Sequence, residues 1–164
     1  MNRSLAERSA SRARPDASWQ VMMQAAIREV FQLMVGTDIQ PADPPPESPS
    51  GGVSAMVGMA GALCGVLRLR CSEQTAVSIA TKMLGGHEPG ALSDTCDAIG
   101  EISNMVAGNF KAKIAGLCDA CMLSVPTVVV GVDYDVYSLA SPERVEVSMT
   151  YEGQPLWVGL EISS

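Results

Sequence analysis

Residues 98–108 read AIGEISNMVAG, and residues 26–36 read AIREVFQLMVG. Ala, Ile, Glu and Gly are shared at matching positions, and most of the other pairs are close in type, including Gln32 against Asn104. In both stretches apolar residues recur three and four apart, which predicts a helix with one buried stripe. Short aliphatic runs broken by Gly and Pro follow each stretch and read as strands. The pattern suggests two related halves, each a helix followed by antiparallel strands. Chance similarity between two amphipathic helices is the competing explanation.

Working outward, Ser18 is placed to cap a first helix running to about Val35. Trp19, Met22, Met23, Ala26, Ile27, Val30, Phe31 and Met34 form its apolar stripe, and Gly36 ends it. The prolines of PADPPPESPSGG, residues 41–52, exclude a regular element and predict an exposed loop. Two strands follow at about 53–60 and 62–70, turning near Gly61. Ser72 caps a short helix to about Leu84, stopped by Gly85 and Gly86. The longest helix begins at Ser93 or Asp94 and ends near Gly116. Further strands are expected at 121–131, 134–138, 143–151 and 155–162, with Pro126, Gly131, Pro142 and Gly153 as punctuation. The fold class is α+β, with two longer helices packed on a mainly antiparallel sheet. Residues 18–164 form the domain, and residues 1–17, rich in Ser, Ala and Arg without an apolar period, read as a disordered tail.

A chain of 164 residues, 47% hydrophobic, suits one domain with a substantial core. With few aromatic residues and 10 Met, that core is aliphatic and adaptable in packing. The formal charge is −7, and it is uneven. Arg3, Arg8, Arg12 and Arg14 outweigh Glu7 and Asp16 near the N-terminus, so the remaining chain is more acidic still. An acidic body repels phosphate backbones, which argues against nucleic acid as a partner. The longest apolar stretch, Val53 to Leu67, is too short and too Gly-rich to span a membrane. An odd count of 5 Cys and no signal-peptide pattern point to a reducing cytoplasm. Cys118 and Cys121 make a CxxC, which raises zinc or redox chemistry, but no second ligand pair accompanies it. The plainer alternative is two small apolar side chains where a helix gives way to a strand.

On a wheel of about 100° per residue, Ile99, Ile102, Val106, Phe110, Ile114 and Leu117 share one side of the longest helix. Asp94, Asp97, Glu101, Asn104, Gly108, Lys111 and Ala112 occupy the other. Glu101 and Asn104, three apart, are surface neighbours. Gly108 stands mid-helix, where glycine costs about 1 kcal/mol relative to alanine. Beside two polar side chains it would leave a flat strip for another protein's backbone. Asp97 and Lys111 would be charges on the rim of that docking face. The alternative is a helix-packing glycine and an ordinary solvated surface.

Glu101-Ile-Ser-Asn104-Met-Val-Ala-Gly108 resembles the E-x-x-N-x-x-x-G motif of the CheC/CheX/FliY phosphatase family. Residues 97–100 and 109–113 agree with its flanks, as do 30–36, 58–67, 80–85 and 125–131, in the same order along the chain. The similarity is greatest to the CheX-like members. It implies a cytoplasmic chemotaxis enzyme that hydrolyses the aspartyl phosphate of a CheY-like response regulator. By that resemblance Asn104 orients the attacking water and Glu101 pairs with a receiver lysine. The Mg²⁺ is the receiver's, and no cofactor or metal is bound by this chain. The family's paired sheets also imply a homodimer, for which the aliphatic strands offer edges. Glu29 and Gln32, at the corresponding positions of the first helix, would be a degenerate copy of the site. The chain lacks a credible Ser/His/Asp set, a Walker loop and a dinucleotide fingerprint. A non-catalytic module that sequesters a phosphorylated receiver is the alternative function.

Overall fold

Alternation along the strands decides which side of the sheet is buried. In the computed structural model, which describes residues 13–47, 50–137 and 143–163, strand β3 (Gly65–Cys71) turns Leu67, Leu69 and Cys71 into the core. Arg68 and Arg70 face the other way, as the period of two requires. The hairpin of β6 (Glu143–Tyr151) and β7 (Gln154–Ile162) repeats the arrangement, with Val145, Val147 and Met149 against Leu156, Val158 and Leu160.

Strands β1 (Gln40–Pro41), β2 (Gly52–Gly61), β4 (Cys121–Leu123) and β5 (Thr127–Gly131) complete a seven-stranded sheet. Its order is β1-β6-β7-β3-β2-β4, with β5 also on β2, and every pairing is antiparallel. The helices are α1 (Ala17–Met34), α2 (Glu73–Met83) and α3 (Leu92–Lys113). Their apolar stripes join the inward strand residues in one core. Helix α3 packs against α1, α2 and β2. Trp19 meets Phe110 edge to face, with ring centroids 5.6 Å apart, which fixes α1 against α3.

Several boundaries depart from the sequence reading. The cap of α1 is Asp16, not Ser18: its carboxylate accepts the Ser18 N–H at 2.8 Å. The chain joins the fold before residue 18, since the Ala13 N–H donates to the Ala62 carbonyl and Ala13 packs on the core. Residues 1–12 of the expected tail lie outside the described residues. Ser72 does cap α2, accepting the Thr75 N–H. Helix α3 begins at Leu92, and the Asp94 carboxylate reaches back to the N–H groups of Gly90 and Ala91. It stops at Lys113, short of the glycine expected to end it.

The run predicted as one strand over 121–131 is two. Pro126 has no N–H to give the ladder. Ser124 bridges the gap instead: its N–H donates to the Gly58 carbonyl, and its hydroxyl accepts the Gly58 N–H, both at 2.8 Å. The proline-rich segment is not wholly loop. Gln40 and Pro41 pair with Thr150 and Met149, Pro46 accepts from the Trp157 indole N–H, and Gly52 opens β2. Residues 134–137 form no strand, because Tyr134 folds back to place its hydroxyl 2.8 Å from Ser54 Oγ. Residues 138–142, with the turn expected at Pro142, lie outside the described residues.

Phe110 is fully buried and joins α3 to Trp19 of α1. Phe110→Ala is expected to cost about 3–5 kcal/mol, read as a lowered urea midpoint at unchanged slope.

Candidate active site on the third helix

The rotation of α3 is fixed by what it buries. Ile99, Ile102, Val106 and Phe110 are fully buried against the sheet and α1. Ser103 is buried too and is satisfied within the helix, donating to the Ile99 carbonyl at 2.8 Å. With this stripe inward, Asp97 and Glu101 stand exposed, and Asn104 and Gly108 are half-buried at the edge. Among the described residues neither the Glu101 carboxylate nor the Asn104 amide has a hydrogen-bond or ion-pair partner. Two polar groups one helical turn apart are thus free to meet a visiting molecule.

The segment joining β4 to β5 runs alongside. A Cβ added at Gly100 would lie 3.4 Å from Pro126 and 3.5 Å from Val128, and one added at Gly108 would lie 3.9 Å from Leu123. The connection therefore runs along α3 from the level of Gly108 to that of Gly100. An open groove results, lined by Cys96, Asp97, Gly100 and Glu101 on the helix and by Val125, Pro126 and Val128 opposite. Gly108 is not bare docking surface alone, because Leu123 covers part of it.

Lys111 has a different place from the rim charge expected of it. Its ammonium donates to the carbonyls of Cys118 and Cys121, at 2.8 and 2.7 Å. It ties the turn after α3 to the helix, where a cation also suits the carbonyl end of the helix dipole. The corresponding face of α1 is likewise engaged. Glu29 accepts from Lys113 Nζ at 2.7 Å and from Asn109 Nδ2 at 3.0 Å, and these bonds, the Lys113 one foremost, hold its carboxyl below the usual range. The sequence reading did not foresee this clamp. Its available signal was Asn109 and Lys113 at i and i+4, which share one face of α3.

All five cysteines are free. Cys118 is exposed, whereas Cys121 points inward with its thiol toward the Leu63 carbonyl, and burial raises its pKa. Burial pushes the Cys71 thiol up to about 12. Among the described residues, no group of three or more His, Cys, Asp and Glu side chains is gathered to hold a metal, and no helix is long and apolar enough to cross a membrane.

Residues 53–150, well over half the chain, match the model of the chemotaxis phosphatase CheX family. The chain belongs to that family. Over 98 residues it is 32% identical to the CheY-P phosphatase CheX of Thermotoga maritima, covering 59% of this chain and 63% of that protein. The match thus spans less than two thirds of the relative's length. Chemotaxis protein CheX from Vibrio vulnificus shares the fold at a TM-score of 0.75 and 22% identity, covering 92% of this chain and 100% of that one. A CheX from Borrelia burgdorferi, solved in a CheX–CheY–BeF3–Mg²⁺ complex, matches at a TM-score of 0.72 and 21% identity, over 92% and 100% of the two chains. The matched region of the CheX family contains all of α3, and with it Glu101, Asn104 and the groove.

Two outcomes follow from this geometry. Gly108→Ala places a methyl at ordinary contact distance from Leu123 and removes a mid-helix glycine, so it should stabilise the fold by up to about 1 kcal/mol, seen as a higher thermal midpoint. Thiol labelling of the native protein should modify Cys118 rapidly and leave Cys71 and Cys121 unreacted until denaturant is added.

Proposed function

We propose that this chain accelerates hydrolysis of the aspartyl phosphate on a CheY-like receiver domain. The observation that carries the proposal is the free Glu101–Asn104 pair, held on an exposed helix face within a CheX-family fold. The chemistry asks little of the catalyst. An aspartyl phosphate is an acyl phosphate and is already reactive. The receiver contributes its own Mg²⁺ and lysine, which offset charge on the phosphoryl group. The water oxygen bonds to phosphorus while the bond from phosphorus to the aspartyl oxygen breaks. The receiver's carboxylate is regenerated, and inorganic phosphate leaves with the water's protons.

What this chain adds is position. The Asn104 carbonyl accepts a hydrogen bond from the water, and its NH₂ donates to a neighbouring oxygen, holding the nucleophile in line. The glutamine that orients water in GTPases is a parallel. Glu101, one turn earlier, pairs with the receiver's lysine and sets the depth at which Asn104 enters. A carboxylate of ordinary pKa is charged near neutral pH, so no tuned base is needed. Asp97 adds negative charge on the same rim and acts on the association rate. Gly108 keeps the surface low where the partner's backbone passes.

The two helices that carry related sequences also fit an internal duplication. The hairpins β2–β3 and β6–β7 meet through β3 and β7, while β1 pairs with β6 and β5 with β2, so each half lends a strand to the other. The clamp on Glu29 supports a single working site in each chain, on α3.

The test is phosphate release from a panel of phosphorylated receivers of the same organism, with and without the protein. At least one should be dephosphorylated faster. Asn104→Ala should lower the added rate on the order of 100-fold without shifting the melting temperature, and Glu101→Ala should lower rate and affinity together. Full activity in the Asn104 variant would end the assignment. A slowed loss of phosphate on adding the protein would identify a sequestering module instead.

A further inference from the structure

We infer that Val125, carried on the connection between β4 and β5, is the apolar docking contact that sets how the receiver approaches Glu101 and Asn104. The inference rests on the phosphatase reading and goes beyond it, because it lies off the helix that bears the motif. Val125 is 85% exposed, so its side chain is open to a partner. It lines the same groove as Asp97 and Glu101. A partner that engages Glu101 from this groove therefore meets the Val125 side chain on the opposite wall.

The support behind Val125 is stiff. Ser124, just before it, is held to Gly58 by two 2.8 Å hydrogen bonds, and the Ser124 hydroxyl donates to the Val125 carbonyl at 3.0 Å. Pro126, just after it, has a fixed φ and stands 3.4 Å from where a Cβ at position 100 would lie. A flexible loop would lose ordering entropy when a partner docked; this one is ordered beforehand.

The occupant is defined by the groove's two walls. The helix wall carries Asp97 and Glu101, and the opposite wall is Val125, Pro126 and Val128. It fits a receiver domain with a basic residue at its phosphorylation pocket and an apolar patch directly beside it. An apolar contact enclosed by a polar rim that excludes water can carry much of an interface's energy. Receivers lacking that patch would be dephosphorylated poorly even when their pockets are chemically identical, so Val125 acts on substrate choice.

The experiment is steady-state phosphate release against receiver concentration, using a CheY-like receiver that the unaltered protein dephosphorylates. Val125→Asp should raise KM at least about tenfold, the scale of an interface anchor, while kcat at saturation stays within about twofold. Val125→Ile should keep the unaltered KM. Because Val125 is exposed, both variants should melt as the unaltered protein does; should the Asp variant melt lower, Val125→Ser carries the same expectation. An unchanged KM in the folded Asp or Ser variant overturns the inference, as does a fall in kcat at unchanged KM. Asn104→Ala, run in parallel, separates the two failures: loss of its activity with an unchanged Val125→Asp KM refutes the docking contact alone, whereas retained activity refutes the Glu101–Asn104 site on which the inference rests.

Discussion

The burial of Ile99, Ile102, Val106 and Phe110 fixes the rotation of α3 about its axis, and every functional statement depends on that rotation. A shift of one residue turns the helix by about 100°, enough to carry Glu101 and Asn104 from the open side into the sheet. The apolar stripe is thus a positioning device as well as a source of stability. Trp19 against Phe110 locks it from the side of α1, and the Asp94 cap and the Lys111 bonds hold its two ends. A catalyst that works by orienting one water gains from such fixity, because misplacement by an ångström can forfeit most of the effect.

Much of this arrangement was legible in the residues. The periodicity of residues 98–110 alone separates the buried from the open face, and Ser72 marks the start of α2 correctly. What failed to read through was local chemistry with a competing donor or acceptor nearby. Asp16 takes the capping role from Ser18 because its carboxylate accepts the Ser18 N–H, which leaves Ser18 inside the first turn. Pro126 splits a run that otherwise has unbroken strand propensity, and Ser124 makes the break tolerable by supplying a side-chain acceptor. Tyr134 lies in a segment with strand-like composition, yet its hydroxyl finds buried Ser54 and the backbone folds back accordingly.

The site shows the same division. Glu101, Asn104 and Asp97 stand where the wheel puts them, because exposure of a helical residue is set by its own helix's stripe. Lys111 does not remain a free rim charge, because its destination depends on where residues 118 and 121 turn, seven and ten residues downstream. The groove could not be read at all. It arises from the passage of the β4–β5 connection along α3 from Gly108 to Gly100, a tertiary approach that the spacing of the two glycines only permits. A mid-helix glycine in the sequence announces that something comes close, without saying whether it is a partner or the chain itself; here Leu123 takes part of that space.

The contrast between the two related helices argues for how few features make the difference between a site and a surface. Glu29 and Glu101 occupy equivalent positions in matching segments, and both are exposed. Glu29 is nevertheless engaged, since Asn109 and Lys113 of α3 both donate to its carboxylate. Gln32 differs from Asn104 by one methylene, which adds a rotatable bond and so more side-chain entropy to lose before an amide can hold a water in line. An engaged carboxylate and a longer amide set the α1 face apart from that of α3. In α3 the carboxylate is unpartnered and the amide is short, and a visiting phosphorylated pocket would find both free.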